Sequence, residues 1–415
     1  RHRERNNASL LKTYKQLKQS NIIMHRITLI ALIALLIPDL YIYFCYIRKY
    51  THKLWLRLAW WLPTLMLIAA FVHLMFLSGP NHMAQNPHAI GHMAIAILLF
   101  TVPKALFMLI TLPGVILHVL SRRILRTPFT FIATLLAVIT FGCILYGAVE
   151  GVSHFQVKEV SIEHSSRLPK GFDGFRIAQI SDLHLGSWSN KADKIEELVS
   201  LINEQNPDII LFTGDLVNHH ADELKPFMSI LAKLKAPHGV YSVLGNHDYG
   251  TYYRWPSAKD EAKNLEQLID MQKLMGWKML NNQHTLLYNR GDRIALVGVE
   301  NDGEPPFSQH AQLKKATEGT ESLYTILMSH NPTHWRREVL PETDIDLMLA
   351  GHTHAMQVTL FGRSLSEFLY PEWKGLYTEG RQALYVNIGI GYVGMPFRFG
   401  AWPEITVLTM KNSVQ

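Results

Sequence analysis

Four stretches of about twenty apolar residues, all before residue 150, most tightly constrain what this 415-residue chain can fold into. They run over roughly 27–47, 58–78, 90–119 and 129–149. A helix of about 20 apolar residues spans the hydrocarbon of a bilayer, because its backbone N–H and C=O groups pair within the segment. Residues 27–150 therefore read as a four-span transmembrane anchor behind a basic tail at 1–26. The third stretch is long and holds Pro103, Lys104 and Pro113, which predicts a kinked or tilted span. Asp39 and Lys104 are charges at membrane depth. A snorkelling lysine and a helix-packing aspartate are the plain reading, and a polar functional site is the sharper one. Tyr41, Tyr43, Trp55, Trp60 and Trp61 suit the interfacial belts.

Charge divides the chain at the same place. Residues 1–150 hold fifteen Lys/Arg against three Asp/Glu, net +12, whereas 151–415 hold twenty-five against thirty-one, net −6. The overall +6 thus describes the anchor, and an acidic remainder argues against a nucleic-acid partner. The loop at 48–57 carries Arg48, Lys49, Lys53 and Arg57, the loop at 121–128 carries Arg122, Arg123 and Arg126, and the loop at 79–88 carries no Lys or Arg. Positive-inside places the first and third loops in the cytoplasm and the C-terminal region outside it. The basic segment 1–23 runs against that orientation. Met24 stands directly before the first span, so 1–23 read as an over-extended start or a dispensable tail.

Both cysteines, Cys45 and Cys143, lie in the anchor, so any metal site further on must use His, Asp, Glu or Asn. After a connection at 151–174 containing one strand, short β-rich runs repeatedly end in polar clusters. FRIAQIS leads into Asp182 and His184, DIILFTG into Asp215, and GVYSVLG into Asn246, His247 and Asp248. YTILMS leads into His330, and DIDLMLAG into His352 and His354. Between the first two runs, Ile195, Leu198, Val199 and Ile202 have helical spacing. Strands alternating with helices imply an α/β sheet, whose ligand-binding groups gather beyond the carboxyl ends of the strands. These O and N ligands are too many for one tetrahedral ion. With a bridging carboxylate they divide between two ions, and such a pair activates water and stabilises both oxygens of an in-line displacement at phosphorus. The mixed set suits Mn, Fe or Zn better than Ca.

D-x-H at 182–184, G-D at 214–215, G-N-H-D at 245–248, S-H at 329–330 and G-H-T-H at 351–354 resemble, in that order, the motifs of the calcineurin-like metallophosphoesterases. The resemblance covers about 175–410, and the tail from Tyr385 is similar to the membrane-anchored bacterial YkuE-like subgroup. It implies a four-layer α/β/β/α sandwich at 175–415, following the all-α four-helix anchor, in a bacterial inner or plasma membrane. It also implies a role for each residue. Asp182, His184 and His354 hold one divalent ion, Asn246, His330 and His352 hold a second, and Asp215 bridges them. His247 contacts phosphate with Asn246 and protonates the leaving oxygen, and Asp248 orients His247. Two segments depart from the commoner pattern: Asn218-His219-His220 after Gly214-Asp215-Leu216-Val217, and Ala355-Met356-Gln357 where relatives often have Gly-Gly-Gln.

His154, His164, His238, His284, His310 and His334 read as structural or merely exposed, and His219 and His220 as an exposed loop with substrate contact as the alternative. Arg254, Arg381 and Arg398 are candidates for phosphate contact. The aromatic stretches 249–257 and 364–377, with Tyr252, Tyr253, Trp255, Phe368, Leu369, Tyr370 and Trp373, read either as packed loops or as a bilayer-facing mouth. The expected activity is hydrolysis of a phosphodiester, pyrophosphate or phosphomonoester, with lipid-linked substrates among the candidates. Two alternatives stand beside it. One is a UDP-2,3-diacylglucosamine-type pyrophosphatase of lipid A synthesis. The other is a membrane sensor or transporter with a regulatory phosphoesterase domain, for which Asp39 and Lys104 are the only sequence hints.

Overall fold

The computed structural model describes residues 32–74, 87–121, 126–163, 167–189 and 191–412. Its internal contacts divide the chain into two compact units, one built on the apolar helices and one that takes in everything from Tyr146 onward.

In the first unit, helix α1 covers 32–50 and widens to a π-helix at Tyr43–Ile47. Residues 27–31 of the first expected span lie outside the described residues. Helix α2 is Leu54–Val72, α3 is Pro87–Ser121 and α4 is Arg126–Val149. Among the described residues three helical segments are long and apolar enough to cross a membrane: Leu54–Val72, Ala89–Leu117 and Phe129–Ser153. A single helix runs through both Pro103 and Pro113.

The two charges at membrane depth belong to one another. Lys104 Nζ on α3 lies 2.6 Å from Asp39 Oδ1 on α1, and the Thr64 hydroxyl on α2 donates to Asp39 Oδ2. Lys104 also donates to Thr64 Oγ1 at 3.3 Å and sits 5.1 Å from the Trp60 ring centroid. The lysine therefore does not snorkel. In a medium without water an unpaired charge is costly, and pairing across three helices satisfies both groups while fixing helix register. Either Asp39→Ala or Lys104→Met should lower the thermal midpoint of the detergent-solubilised chain, because each strands a buried charge at a cost of about 3–5 kcal/mol. The double change should recover much of that loss. Single variants that melt like the parent would show that the pair contributes nothing.

The second unit is a two-sheet sandwich. Its strands are β1 (Gln156–Ile162), β2 (Arg176–Ile180), β3 (Ile209–Phe212), β4 (Val240–Ser242), β5 (Lys278–Met279) and β6 (Gln283–Asn289). They continue as β7 (Asp292–Gly298), β8 (Thr325–Met328), β9 (Leu347–Ala350), β10 (Gly375–Glu379), β11 (Gln382–Val386) and β12 (Glu404–Met410). One sheet has the order β1-β12-β2-β3-β4-β5 and the other β10-β11-β9-β8-β7-β6. The strand expected in the connection is the edge of the first sheet, paired parallel to β12 from Gln156↔Glu404 to Ile162↔Met410.

Period-two alternation assigns the faces. Ile209 and Leu211 join Ile326, Met328, Leu347 and Leu349 in the core between the sheets. Their neighbours Ile210 and Phe212 turn outward onto Ile195, Leu198, Val199 and Ile202 of helix α5 (Ala192–Glu204), the spacing that predicted it. On the far side Leu327, Met348 and Val386 meet Leu313, Trp335 and Val339. Strands buried on both faces explain the nearly continuous apolar runs in the sequence. The result is the expected α/β/β/α layering, with the carboxyl ends of parallel strands β2, β3 and β4 and of β8, β9 and β11 open for loops.

Candidate metal centre

Every sequence-predicted ligand sits just past one of those strand ends. Asp182 and His184 follow β2, Asp215 follows β3, Asn246 follows β4, His330 follows β8, and His352 and His354 follow β9. The backbone there is unusual. Asp182, His184, Asp215, His352 and His354 have φ of 54°, 46°, 60°, 75° and 50°, in the left-handed region that non-glycine residues seldom enter. Each such residue costs on the order of 1–3 kcal/mol, and persists where the surroundings over-determine it. Here the return is direction: each strand stops abruptly and its side chain is thrown across the sheet edge. Gly245 and Gly351 permit the close approach. A Cβ at Gly245 would strike Asp215 Oδ1, and one at Gly351 would strike Asp182 Oδ2.

The candidate ligands converge as two clusters. Asp182, His184 and His354 bring ligand atoms within 4.8 Å of one another, and so do Asp215, His330 and His352. His354 Nε2 lies 3.2 Å from both Asp182 Oδ1 and His184 Nε2. In the second cluster His330 Nε2 is 3.2 Å from Asp215 Oδ2 and 3.3 Å from His352 Nδ1. Asp215 Oδ2 also lies 3.6 Å from His184 Nε2, so this carboxylate faces both clusters. Asn246 Oδ1 is buried without a hydrogen-bond partner while its Nδ2 donates to Tyr252 Oη at 2.9 Å. An orphaned amide oxygen beside crowded imidazole nitrogens and carboxylates, with no thiolate present, is a donor set that fits divalent cations.

Backbone and outer side chains fix these rings. Thr213 O accepts from His330 Nδ1 at 2.8 Å, and Tyr370 Oη bonds His352 Nε2 at 3.1 Å. Arg398, fully buried, reaches His354 Nδ1 at 3.0 Å and donates to the carbonyls of Ile388, Gly391 and Ala401. Ser329 and Glu338 clasp His334 at 2.9 and 2.8 Å, so this histidine anchors the loop behind His330. Burial opposes ionisation of Asp182, but His354 and His330 hold it well below the usual carboxylate range. Burial likewise opposes ionisation of Asp215, and the same outcome follows from His330 and His247. Asp215 in turn lifts His330 to about 9 against its own burial, whereas burial and the nearby His330 push His352 down to about 3.

His247 and Asp248 part company. His247 Nδ1 lies 2.8 Å from Asn218 O, which fixes the ring with Nδ1–H donating, and its ring packs 4.7 Å from His184 and 4.4 Å from Tyr252. His247 also stands within ligand distance of His184 and Asp215. Asp248 was expected to orient it but does something else. Its carboxylate accepts from the N–H groups of Asp215, Leu216, Val217 and Gly245 at 2.8–3.2 Å, stitching the β3 loop to the β4 loop. Burial and the neighbouring Asp215 push Asp248 up to about 7, and the N–H donors pull the other way. The aspartate holds the loop whose Asn218 carbonyl holds His247.

Asp215, Asn246, His247, His352 and His354 open onto a cavity of about 840 Å³ whose wall includes Tyr252, Phe307, Met356, Leu369, Tyr370 and Met395. Arg254 and His219 line it as well, so His219 belongs to the site rather than to an exposed loop. Arg381 is exposed and paired with Asp344, and Arg398 is fully buried, which leaves Arg254 as the cavity-lining member of the three. The aromatic stretches also divide. Trp373 is buried, and Trp255 donates to Gly250 O and packs against Tyr253, while Tyr252, Phe368 and Leu369 are exposed. Sequence reasoning missed Thr213, Asn218 and Arg398 as partners of site histidines, since the contacts are long-range. Tyr370 was placed in a packed or bilayer-facing loop, and not against His352.

Two families match. The one described as calcineurin-like phosphoesterase covers residues 175–356, and the one described as a probable calcineurin-like phosphoesterase transmembrane domain covers 24–152. Among individual proteins, the chain is 33% identical over 270 residues to the metallophosphoesterase YkuE of Bacillus subtilis (strain 168), covering 60% of this chain and 83% of that one. It is 32% identical over 295 residues to a transmembrane protein with metallophosphoesterase domain of Danio rerio, covering 68% of this chain and 64% of that one. A bovine protein of the same description is 31% identical over 258 residues, 59% of this chain. The chain thus spans under two thirds of the two vertebrate relatives' length, 64% and 55%.

Proposed function

The chain belongs to the calcineurin-like phosphoesterase family and carries its transmembrane domain, and from that premise we propose that it hydrolyses a phosphodiester or pyrophosphate bearing an acyl chain. It is a metal-dependent phosphoesterase; the finer reading rests on one observation. The candidate ligands Asp215, Asn246, His352 and His354 share a cavity of about 840 Å³ with Tyr252, Phe307, Met356, Leu369 and Met395. Pockets that hold drug-sized ligands measure about 300–1,000 Å³, so this volume exceeds what a bare phosphate needs and its wall suits an apolar group.

In this reading Asp182, His184 and His354 hold one divalent ion, Asn246, His330 and His352 hold the other, and Asp215 serves both. Bound there, the ions supply Lewis acidity and an activated water, and Mn, Fe or Zn fits the donors. The chain's own residues do the rest. Asn218 O accepts from His247 Nδ1–H, so the ring in its imidazolium form turns Nε2–H toward the departing oxygen and gives up that proton as the bond to phosphorus breaks, returning to neutral imidazole. Tyr370 keeps the His352 ring in place, and Arg254 adds positive charge at the wall for the phosphate.

The anchor is proposed to comprise 27–150 and the catalytic domain 175–415, with β1 joining the latter. Loop charges favour an extracytoplasmic catalytic domain in a bacterial inner or plasma membrane. A reporter fused after Gln415 that works only in the cytoplasm would overturn this placement. Substrate class is tested with the purified, metal-loaded full chain on a soluble phosphomonoester, a soluble diester, and acylated diester and nucleotide-lipid pyrophosphate in mixed micelles. The acylated substrates should be turned over fastest. Equal rates on acylated and soluble diesters would remove the lipid from the reading, and turnover of the monoester alone would remove the diester.

A further inference from the structure

We propose that the turn at 360–363 and the short 3₁₀ helix after it, Leu365–Phe368, form a wedge that enters the lipid bilayer beside the mouth of the cavity. The segment reads LFGRSLSEFL, and its apolar side chains point into solvent: Phe361 is 104% exposed, Phe368 84%, Leu365 67% and Leu369 65%. Leu360 is exposed as well. Scattered exposed leucines need no explanation, but five large apolar side chains within ten residues mark a contact surface.

The backbone presents them deliberately. Leu360 and Arg363 exchange both backbone hydrogen bonds, at 2.9 and 3.0 Å, around a two-residue turn. Phe361 and Gly362 at its tip have φ of 53° and 78°. Such a turn favours Asn or Asp before Gly. A phenylalanine there accepts an unfavourable backbone and, in the isolated chain, gains no packing in return. The Ser364 hydroxyl donates to Ala355 O at 2.7 Å, and Ser364 caps the helix that follows, so the wedge is held firmly at its base. Met356, also at positive φ (45°), continues the apolar surface from the wedge into the cavity wall, as Leu369 does.

The occupant that fits is a bilayer. The chain carries its own membrane spans, and in the sequence the last of them, α4, ends at Val149, close before β1 begins at Gln156. The flanks suit the headgroup zone. Arg363, exposed at the foot of the turn, is paired with Glu367 at 2.7 Å, which neutralises the charges inside the wedge, and beyond it Lys374 Nζ sits 4.7 Å from the centroid of the Trp373 ring. The inference goes beyond the substrate reading above and does not rest on it.

The test uses the full chain reconstituted in phosphatidylcholine vesicles, with Cys45 and Cys143 replaced by serine and a thiol-reactive fluorophore at Phe361→Cys, Phe368→Cys or Leu274→Cys. Leu274, 79% exposed at the end of the helix Ala258–Leu274, is the reference. Labels at 361 and 368 should be quenched by doxyl-labelled lipid and be several-fold less sensitive to iodide than the label at 274. Equal iodide sensitivity overturns the proposal, and so does shielding from both quenchers, which would mean a protein cover. Should the cysteine-free chain not fold, hydroxyl-radical footprinting of the unmodified chain in vesicles reads the same side chains. Phe361 and Phe368 should be protected and Leu274 oxidised, and oxidation of all three overturns the wedge. Neither readout depends on turnover, so failure here is distinguishable from failure of the substrate reading.

Discussion

Asp215→Ala is expected to abolish metal retention and turnover together. Asp215 Oδ2 lies 3.2 Å from His330 Nε2 and 3.6 Å from His184 Nε2, one nitrogen in each ligand cluster. Its Oδ1 accepts the His247 N–H at 2.8 Å. Removing the carboxylate takes the shared negative charge from between four histidines and leaves each cluster short of an oxygen ligand. Loss of a preorganised charge at a reacting centre typically costs 10²–10³-fold, and loss of the ions themselves costs more, so a fall of at least about 10³-fold is expected. Metal content by mass spectrometry and turnover on the same preparation check it. Full activity in an Asp215→Ala sample of unchanged fold would remove the two-metal reading altogether.

His247→Ala separates the two properties. The ring lines the cavity, Asn218 O fixes its Nδ1, and it packs against His184 and Tyr252 without belonging to the Asp182 or His330 cluster. A positioned general acid is worth about 10²–10⁴-fold, so turnover should fall by that factor while metal content stays at the parent level. Substrates with a good leaving group, such as nitrophenyl esters, should suffer least because their departing oxygen needs no proton. His247 also lies within ligand reach of His184 and Asp215, so parallel loss of metal and activity would make it a ligand instead.

The candidate ligands stood out in the sequence because chemistry and topology leave the same trace: a β-rich run that ends in Asp, His or Asn. Asp182, Asp215, Asn246, His330 and His352 could be named from that trace, since parallel strands put their carboxyl ends on one edge. What acts on those ligands was hidden, because it arrives from far along the chain. Arg398 meets His354 across 44 residues and Thr213 meets His330 across 117. The role given to Asp248 came from its adjacency to His247. Successive residues in a tight loop point apart, and Asp248 turned to four backbone N–H groups instead. Asp39 and Lys104 were seen singly for the same reason: their partnership needs three helices to be folded together.

The left-handed backbone at Asp182, His184, Asp215, His352 and His354 bears on protein engineering. Installing the same five residue types at the ends of ordinary strands would leave the side chains lying along the sheet, since relaxed backbone does not turn them across its edge. A transplanted centre of this kind must bring its loops, with Gly245 and Gly351 keeping the approach clear. Combinatorial libraries that vary the ligands while idealising the loop backbone should be strongly depleted in metal binders.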